Sequence, residues 1–167
     1  MKVILLVAPS GQGKTTICRR AVEQTRASGL RVAGLLSLPV YEGQQKTAIW
    51  LHNLADGQER LLARADAPGQ GPRLGSWGFV QDTLDWGQGI LTSLAPCDLL
   101  VIDEIGPLEI EQGLGLTNAL PALRRREYRQ AVLTLRPSLV EAVQALLAGL
   151  PVSVVRLDEK NRAGLPL

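Results

Sequence analysis

The chain has 167 residues, 46% of them hydrophobic, and a formal net charge of +2. That length suits one compact domain over 1–167, burying roughly 70% of the surface an unfolded chain exposes, so neither disulfides nor a structural metal are needed. So small a charge excludes a broad attraction for nucleic acid or anionic lipid. Cys18 and Cys97 lie far apart without metal-ligand spacing, and His52 is the one histidine, which excludes a histidine-rich metal centre. Both thiols read as small buried groups of a reducing compartment. No run approaches the ~20 apolar residues of a membrane span. The expected location is the cytoplasm, with neither membrane nor nucleic acid among the partners.

Taken in chain order, residues 2–7 run apolar without alternation, as a strand covered on both faces does. Because that run is short and leads into glycines, it reads as a buried strand and not as a signal peptide. Apolar residues at Ile17, Cys18, Ala21 and Val22 give a helix over 14–28, closed by Gly29. A second strand is expected at 31–36. Residues 47–52 and 59–64, joined through Asp56-Gly57, predict an antiparallel hairpin. The stretch 67–78 is rich in glycine and proline and reads as a surface loop, or as a cover near a ligand.

Further along, 82–94 is helical in pattern although Gly87 and Gly89 weaken it. Strands are expected at 98–102, 131–135 and 152–155. One helix starts near Asn118, tolerates Pro121 in its first turn and ends at Arg124-Arg125-Arg126, where cations offset the helix dipole. Another opens on the capping box Ser138-Leu-Val-Glu141. Trp50, Trp77 and Trp86 read as packing residues, with stacking on a base as an alternative for Trp77. Strands alternating with helices predict an α/β fold: a three-layer α/β/α sandwich whose mostly parallel sheet carries the added antiparallel hairpin. Such sheets bind ligands at the carboxyl ends of their strands.

The residues after the first strand, Ala8-Pro9-Ser10-Gly11-Gln12-Gly13-Lys14-Thr15-Thr16, have the Walker A pattern of a phosphate-binding P-loop, with Ala8 in place of the first glycine. Glycines let successive amides turn inward toward phosphate oxygens, and the following helix adds its positive end. Lys14 is placed to reach the β- and γ-phosphates and the Thr15 hydroxyl to bind magnesium. The run Leu99-Leu-Val-Ile102-Asp103-Glu104 has Walker B form, a buried strand ending in two carboxylates. Asp103 is the second candidate magnesium ligand, and Glu104 is placed to orient the attacking water.

Over nearly its whole length the chain resembles the THEP1-like nucleoside-triphosphatases, small P-loop proteins also found in humans as a cancer-related NTPase. The matching residues are the loop through Lys14-Thr15-Thr16, Gly29-Leu-Arg-Val-Ala-Gly34, Leu74-Gly75-Ser76-Trp77, Asp103-Glu-Ile-Gly-Pro-Leu-Glu109 and Lys160-Asn161-Arg162. Where the family carries a charged Glu-x-Arg-like stretch, this chain reads Leu36-Ser-Leu-Pro-Val-Tyr41. The resemblance implies a magnesium-dependent nucleotide hydrolase with loose base choice. It also implies that the strand at 131–135 lies between the two Walker strands.

Hydrolysis of ATP or another nucleoside triphosphate with Mg2+ is therefore the expected activity, with Lys14, Glu104 and Arg136 as its catalytic residues. Arg136 follows a strand at the ligand edge and reads as a γ-phosphate sensor or as a surface arginine before Pro137. Asn161 and Arg162 follow the last strand and read either as base or ribose contacts or as a polar turn. Glu109 reads as a solvated carboxylate, with support of the magnesium edge as the alternative. A small kinase would share the loop but needs an acceptor pocket and an arginine-rich lid, and no lid motif is visible. A non-catalytic switch is opposed by Glu104. No Asn-Lys-x-Asp element for guanine occurs, and nothing identifies a protein partner.

Overall fold

Successive side chains of strand β1 (Lys2–Val7) point into two different apolar clusters. Val3, Leu5 and Val7 join the cluster built by helices α2 (Gln81–Thr92), α4 (Ala119–Arg125) and α5 (Val140–Leu146), while Ile4 and Leu6 pack on helix α1 (Lys14–Ala27). This is why β1 reads apolar without alternation: both its faces are covered. Leu5 and Leu6 are fully buried, and truncating either to alanine costs about 2–5 kcal/mol. The computed structural model describes residues 1–66 and 70–157, so Asn161 and Arg162, and the start of the expected loop at 67–78, lie outside the described residues.

The remaining elements are β2 (Val32–Glu42), β3 (Gln45–Asn53), β4 (Glu59–Ala65), β5 (Arg73–Leu74), β6 (Trp77–Phe79), β7 (Cys97–Ile105), the short helix α3 (Pro107–Ile110), β8 (Tyr128–Leu135) and β9 (Val152–Arg156). The nine strands of the described residues form one sheet in the order β5-β6-β4-β3-β2-β7-β8-β1-β9. Neighbours from β2 to β9 in that order pair in parallel, and β8 lies between β1 and β7 as expected. The phosphate-loop strand and the acidic strand therefore end at the same sheet edge, one strand apart.

The hairpin is present as β3–β4, and the antiparallel part reaches beyond it. β2 continues past its parallel pairing with β7, which covers Val32–Leu35, and its outer half pairs with β3 as far as Glu42. Pro39 sits in that outer half, where β2 has no neighbour on its other side; a residue without an N–H is tolerated there. The stretch read as a loop at 67–78 contains β5 and the start of β6, which pairs with β4.

Four local features differ from the sequence expectation. Gly87 does not interrupt α2: a Cβ there would come within 2.7 Å of Leu116 and 2.8 Å of Leu51, so glycine lets the helix sit close on the sheet. The Ser138 capping box is not formed, because Pro137–Leu139 make a 3-10 turn and the N-cap of α5 is Leu139, without a side-chain cap. Pro137 presets the φ of that turn. The arginine run serves neighbouring segments as well as its own helix end: Arg124 donates to the Leu146 carbonyl at 2.5 Å, Arg125 to Leu91 at 2.6 Å and Arg126 to Gly149 at 2.8 Å. Of the tryptophans, Trp86 packs beneath the Arg60 guanidinium at 4.5 Å, whereas Trp50 is 38% exposed and is not a core residue. Among the described residues no helix is long and apolar enough to cross a membrane.

Candidate active site

The loop between β1 and α1 turns through two left-handed residues, Gly11 at φ 76° and Gly13 at φ 86°. A side chain at either would be strained, which is why the loop needs glycine there. Gly13 is also the N-cap of α1, with no side-chain cap and no acidic residue in the first turn, so the positive helix end stays open toward the loop. Ala8 is buried, Thr15 is half-buried, and Pro9, Ser10, Gln12 and Thr16 are exposed. Lys14 is 5% exposed, and its ammonium donates to the carbonyls of Ala8 at 2.8 Å and Pro9 at 3.0 Å.

Asp103, at the end of β7, is 1% exposed. Its Oδ1 accepts the Thr134 hydroxyl at 2.6 Å and its Oδ2 the Ser37 amide at 3.4 Å; the Thr15 hydroxyl is hydrogen-bonded to it as well. The Ser37 hydroxyl in turn donates to the Asp103 carbonyl. Burial pushes the carboxyl pKa up, and the Thr134 and Thr15 hydroxyls pull it back. A desolvated carboxylate against a threonine hydroxyl is a hard oxygen donor pair, which fits magnesium better than a softer metal. Among the described residues no three acidic, cysteine or histidine groups gather, and magnesium in nucleotide sites uses one or two carboxylates plus phosphate and water. Thr15 and Asp103 therefore fit that ion.

Glu104, the next residue, lies 4.0 Å from the Lys14 ammonium and 3.2 Å from Nε of Arg136, all through Oε1. The structure thus brings together Lys14, Glu104, Arg136, Thr15 and Asp103 from three adjacent strand ends.

Glu109 is half-buried and lines the same cleft as Lys14, Thr15 and Glu104. Its Oε2 accepts the Gly106 amide at 2.9 Å and its Oε1 the Leu116 amide at 3.0 Å, so it clips the segment after β7 into a closed loop. Burial raises its pKa, and the two amides lower it. Gly115, at φ 74°, lies against this carboxylate: a Cβ there would run into Glu109 Oε1. That loop forms one wall of a cleft of about 310 Å³ reaching from Gly13 and Lys14 past Glu104 to the antiparallel strands. Its far end is apolar, with Leu62, Phe79, Leu84, Leu108 and Leu116, and its rim carries Tyr41, Lys46 and Trp77.

Ser37, Thr134 and Lys46 belong to this site and were not singled out in the sequence. Thr134 carried a signal, being the one polar residue in the apolar strand Ala131-Val-Leu-Thr-Leu135, next to the ligand edge. Lys46 lies at the start of a strand of mixed character, where only the pairing register shows which way it points.

A sequence model of the NTPase family matches residues 3–167. The nucleoside-triphosphatase THEP1 of Ignicoccus hospitalis is 33% identical over 129 residues, covering 77% of this chain and 68% of the relative. The one from Thermofilum pendens is 31% identical over 167 residues, covering 99% and 91%. Among solved structures, THEP1 from the hyperthermophile Aquifex aeolicus superposes with a TM-score of 0.69 at 24% identity, over 98% of this chain and 93% of that one. A human cancer-related nucleoside triphosphatase gives the same score and identity over 97% and 92%. At that identity the two structures show the fold alone.

Proposed function

Because the chain belongs to the NTPase family, we propose that it hydrolyses nucleoside triphosphates to the diphosphate and inorganic phosphate, with magnesium and little selection of the base. The observation that carries this reading is the meeting of Lys14 and Glu104 at 4.0 Å, where the glycine loop faces the Thr15–Asp103 pair. The loop amides and Lys14 hold the polyphosphate. Thr15 and Asp103 hold the magnesium ion, which when bound neutralises charge on the phosphate oxygens. Glu104 accepts a hydrogen bond from water and orients its oxygen for in-line attack on the γ-phosphorus; the bond to the β–γ bridging oxygen breaks, and the diphosphate leaves. Arg136 holds the Glu104 carboxylate and borders the same cleft. Weak base selection follows from a site whose recognition is spent on phosphates.

The test is phosphate release from four nucleoside triphosphates by the wild type, Lys14→Ala and Glu104→Gln. Lys14→Ala is expected to lose both binding and turnover, and Glu104→Gln to bind nucleotide while losing turnover by on the order of 100-fold or more. A Glu104→Gln chain that releases phosphate at the wild-type rate removes the proposed role of that carboxylate. The apolar far end of the cleft favours a second reading, transfer to an organic acceptor. Diphosphate and free phosphate appearing in equal amounts in the presence of candidate acceptors exclude it.

A further inference from the structure

The pairing of β3 with β2 is regular from Leu35↔Asn53 to Val40↔Ala48 and then shifts, so that Tyr41 lies opposite Lys46 and Thr47 is left as the extra residue. In an unbroken strand Thr47 would share a face with Ile49, two positions on. The bulge exchanges them: Lys46, three residues from Ile49, lines the cleft together with Ile49, Pro39 and Tyr41, and Thr47 does not. Bulges re-aim single side chains beside active sites in this way.

Once turned inward, the Lys46 ammonium sits over the Trp77 ring, 5.3 Å from its centroid. Trp77 comes from β6, so two strands of the antiparallel part fix its place. The side chain is half-buried, and burial pushes its pKa down; Glu104 and Asp103 pull it up, while Arg136 and Lys14 oppose them. Those four are the groups around the proposed reaction centre. Yet among the described residues no carboxylate lies within 4.0 Å of the Lys46 ammonium, and the face of an indole is a weak counterpart for a charge taken out of water. Both Lys14 and Arg136 have a Glu104 partner. Lys46 is the cation of the cleft left to be matched by an anion.

We infer that Lys46 binds the terminal phosphoryl group of the nucleoside triphosphate and supplies, from within the chain, the cation that stabilises the charge moving through that group. This rests on the hydrolase reading above. The side of the site is set by its neighbours: Lys46 shares the cleft with Glu104 and Arg136, beyond Lys14, where the phosphoryl group is attacked. The diphosphate lacks that group, so the contact is made by the substrate and lost in the product. The antiparallel strands thereby complete the phosphate site, and no partner protein is required to donate an arginine.

The decisive comparison is of two dissociation constants, with magnesium present, on the full chain: one for ADP and one for a non-hydrolysable ATP analogue. Lys46→Ala and Lys46→Met are measured beside the wild type, the methionine keeping an unbranched stem against Trp77. Both variants are expected to bind the analogue on the order of 10-fold more weakly while ADP binding changes less than about twofold. Phosphate release is expected to fall about 100-fold in kcat/KM, with partial recovery in Lys46→Arg. Equal weakening of both nucleotides, or none, in a methionine variant that melts like the wild type overturns the assignment. A wild-type chain that binds neither nucleotide overturns the hydrolase reading and this inference together, so the two failures are told apart.

Discussion

Nε of Arg136 donates to Oε1 of Glu104 at 3.2 Å, joining the residue that follows β8 to one near the end of the adjacent parallel strand β7, next to its final residue Ile105. The same oxygen lies 4.0 Å from the Lys14 ammonium, so one carboxylate oxygen faces two cations, while among the described residues no hydrogen bond or ion pair engages the other. A partly exposed pair of this kind adds about 0–1 kcal/mol to stability, and its value lies in fixing the direction of the carboxylate. Arg136→Ala is therefore expected to melt within a few degrees of the wild type and to lose phosphate release by on the order of 10- to 100-fold, mainly in kcat. Arg136→Lys, a cation without the planar fork, should restore only part of it. Unchanged kcat in Arg136→Ala would mean that Glu104 is oriented by something else.

Glu109 and Gly115 depend on each other in a similar way, this time for stability. Gly115 has φ 74°, and a Cβ added there would meet both the Glu109 carboxylate and Leu108 Cδ2, the latter at 2.9 Å. Gly113 has φ 65°, but open space surrounds its Cβ position. Gly113→Ala carries backbone strain alone, about 1–2 kcal/mol, whereas Gly115→Ala also pushes Glu109 off the Gly106 and Leu116 amides, adding about 1–3 kcal/mol. Denaturant titration should show Gly115→Ala as the clearly less stable of the two. Equal losses would mean that the carboxylate clip contributes nothing.

These pairs show where the sequence was legible and where it was not. Local rules sufficed for β1, the glycine loop and α1, since each depends on a few neighbouring residues: an apolar run covered twice, left-handed glycines, a helical spacing. The place of β8 between β1 and β7 came only from the family resemblance. The length of β2 was hidden because Pro39 reads as a strand breaker; only the sheet shows that its missing N–H faces no partner. Glu109 looked solvated because its two amide partners, Gly106 and Leu116, come from either side of a loop that closes only in three dimensions. Lys46 was concealed by a one-residue shift in register, and register is a property of two strands at once.

Thr134 offers a direct measure of what the buried acid costs. It is fully buried, in the apolar second half of β8, and its hydroxyl is spent on Asp103 Oδ1 at 2.6 Å. Thr134→Val keeps the shape and leaves a carboxylate of 1% exposure short of one donor. A hydrogen bond to a charged group contributes about 1.5–3 kcal/mol, so chemical denaturation should register a loss of that size, with the folded spectrum retained. Magnesium and nucleotide together should recover part of it, because ligands that bind only the folded chain stabilise it by mass action. A valine variant as stable as the wild type would show that Asp103 is satisfied without Thr134.

The two thiols give a prediction whose sign comes from burial. Cys18 is fully buried on the core-facing side of α1 and Cys97 is 8% exposed at the start of β7. Desolvation pushes both thiol pKa values up, Cys18 well above the ordinary range, with nearby Asp103 adding to it. A raised pKa means that the folded chain keeps protons which the unfolded chain releases once pH passes the usual thiol value of about 8.5. Folded stability from these groups is therefore full below that pH and is lost as pH rises toward the folded values. At pH 8 the native chain should react slowly with a thiol reagent, Cys97 before Cys18, while the denatured chain titrates both at once. Replacing each cysteine by alanine in turn assigns the two phases, and the melting temperature of the wild type should fall between pH 8 and 10 more steeply than that of the double variant. Rapid native labelling of Cys18 would mean that the packing of α1 against β1 opens far more readily than its burial implies.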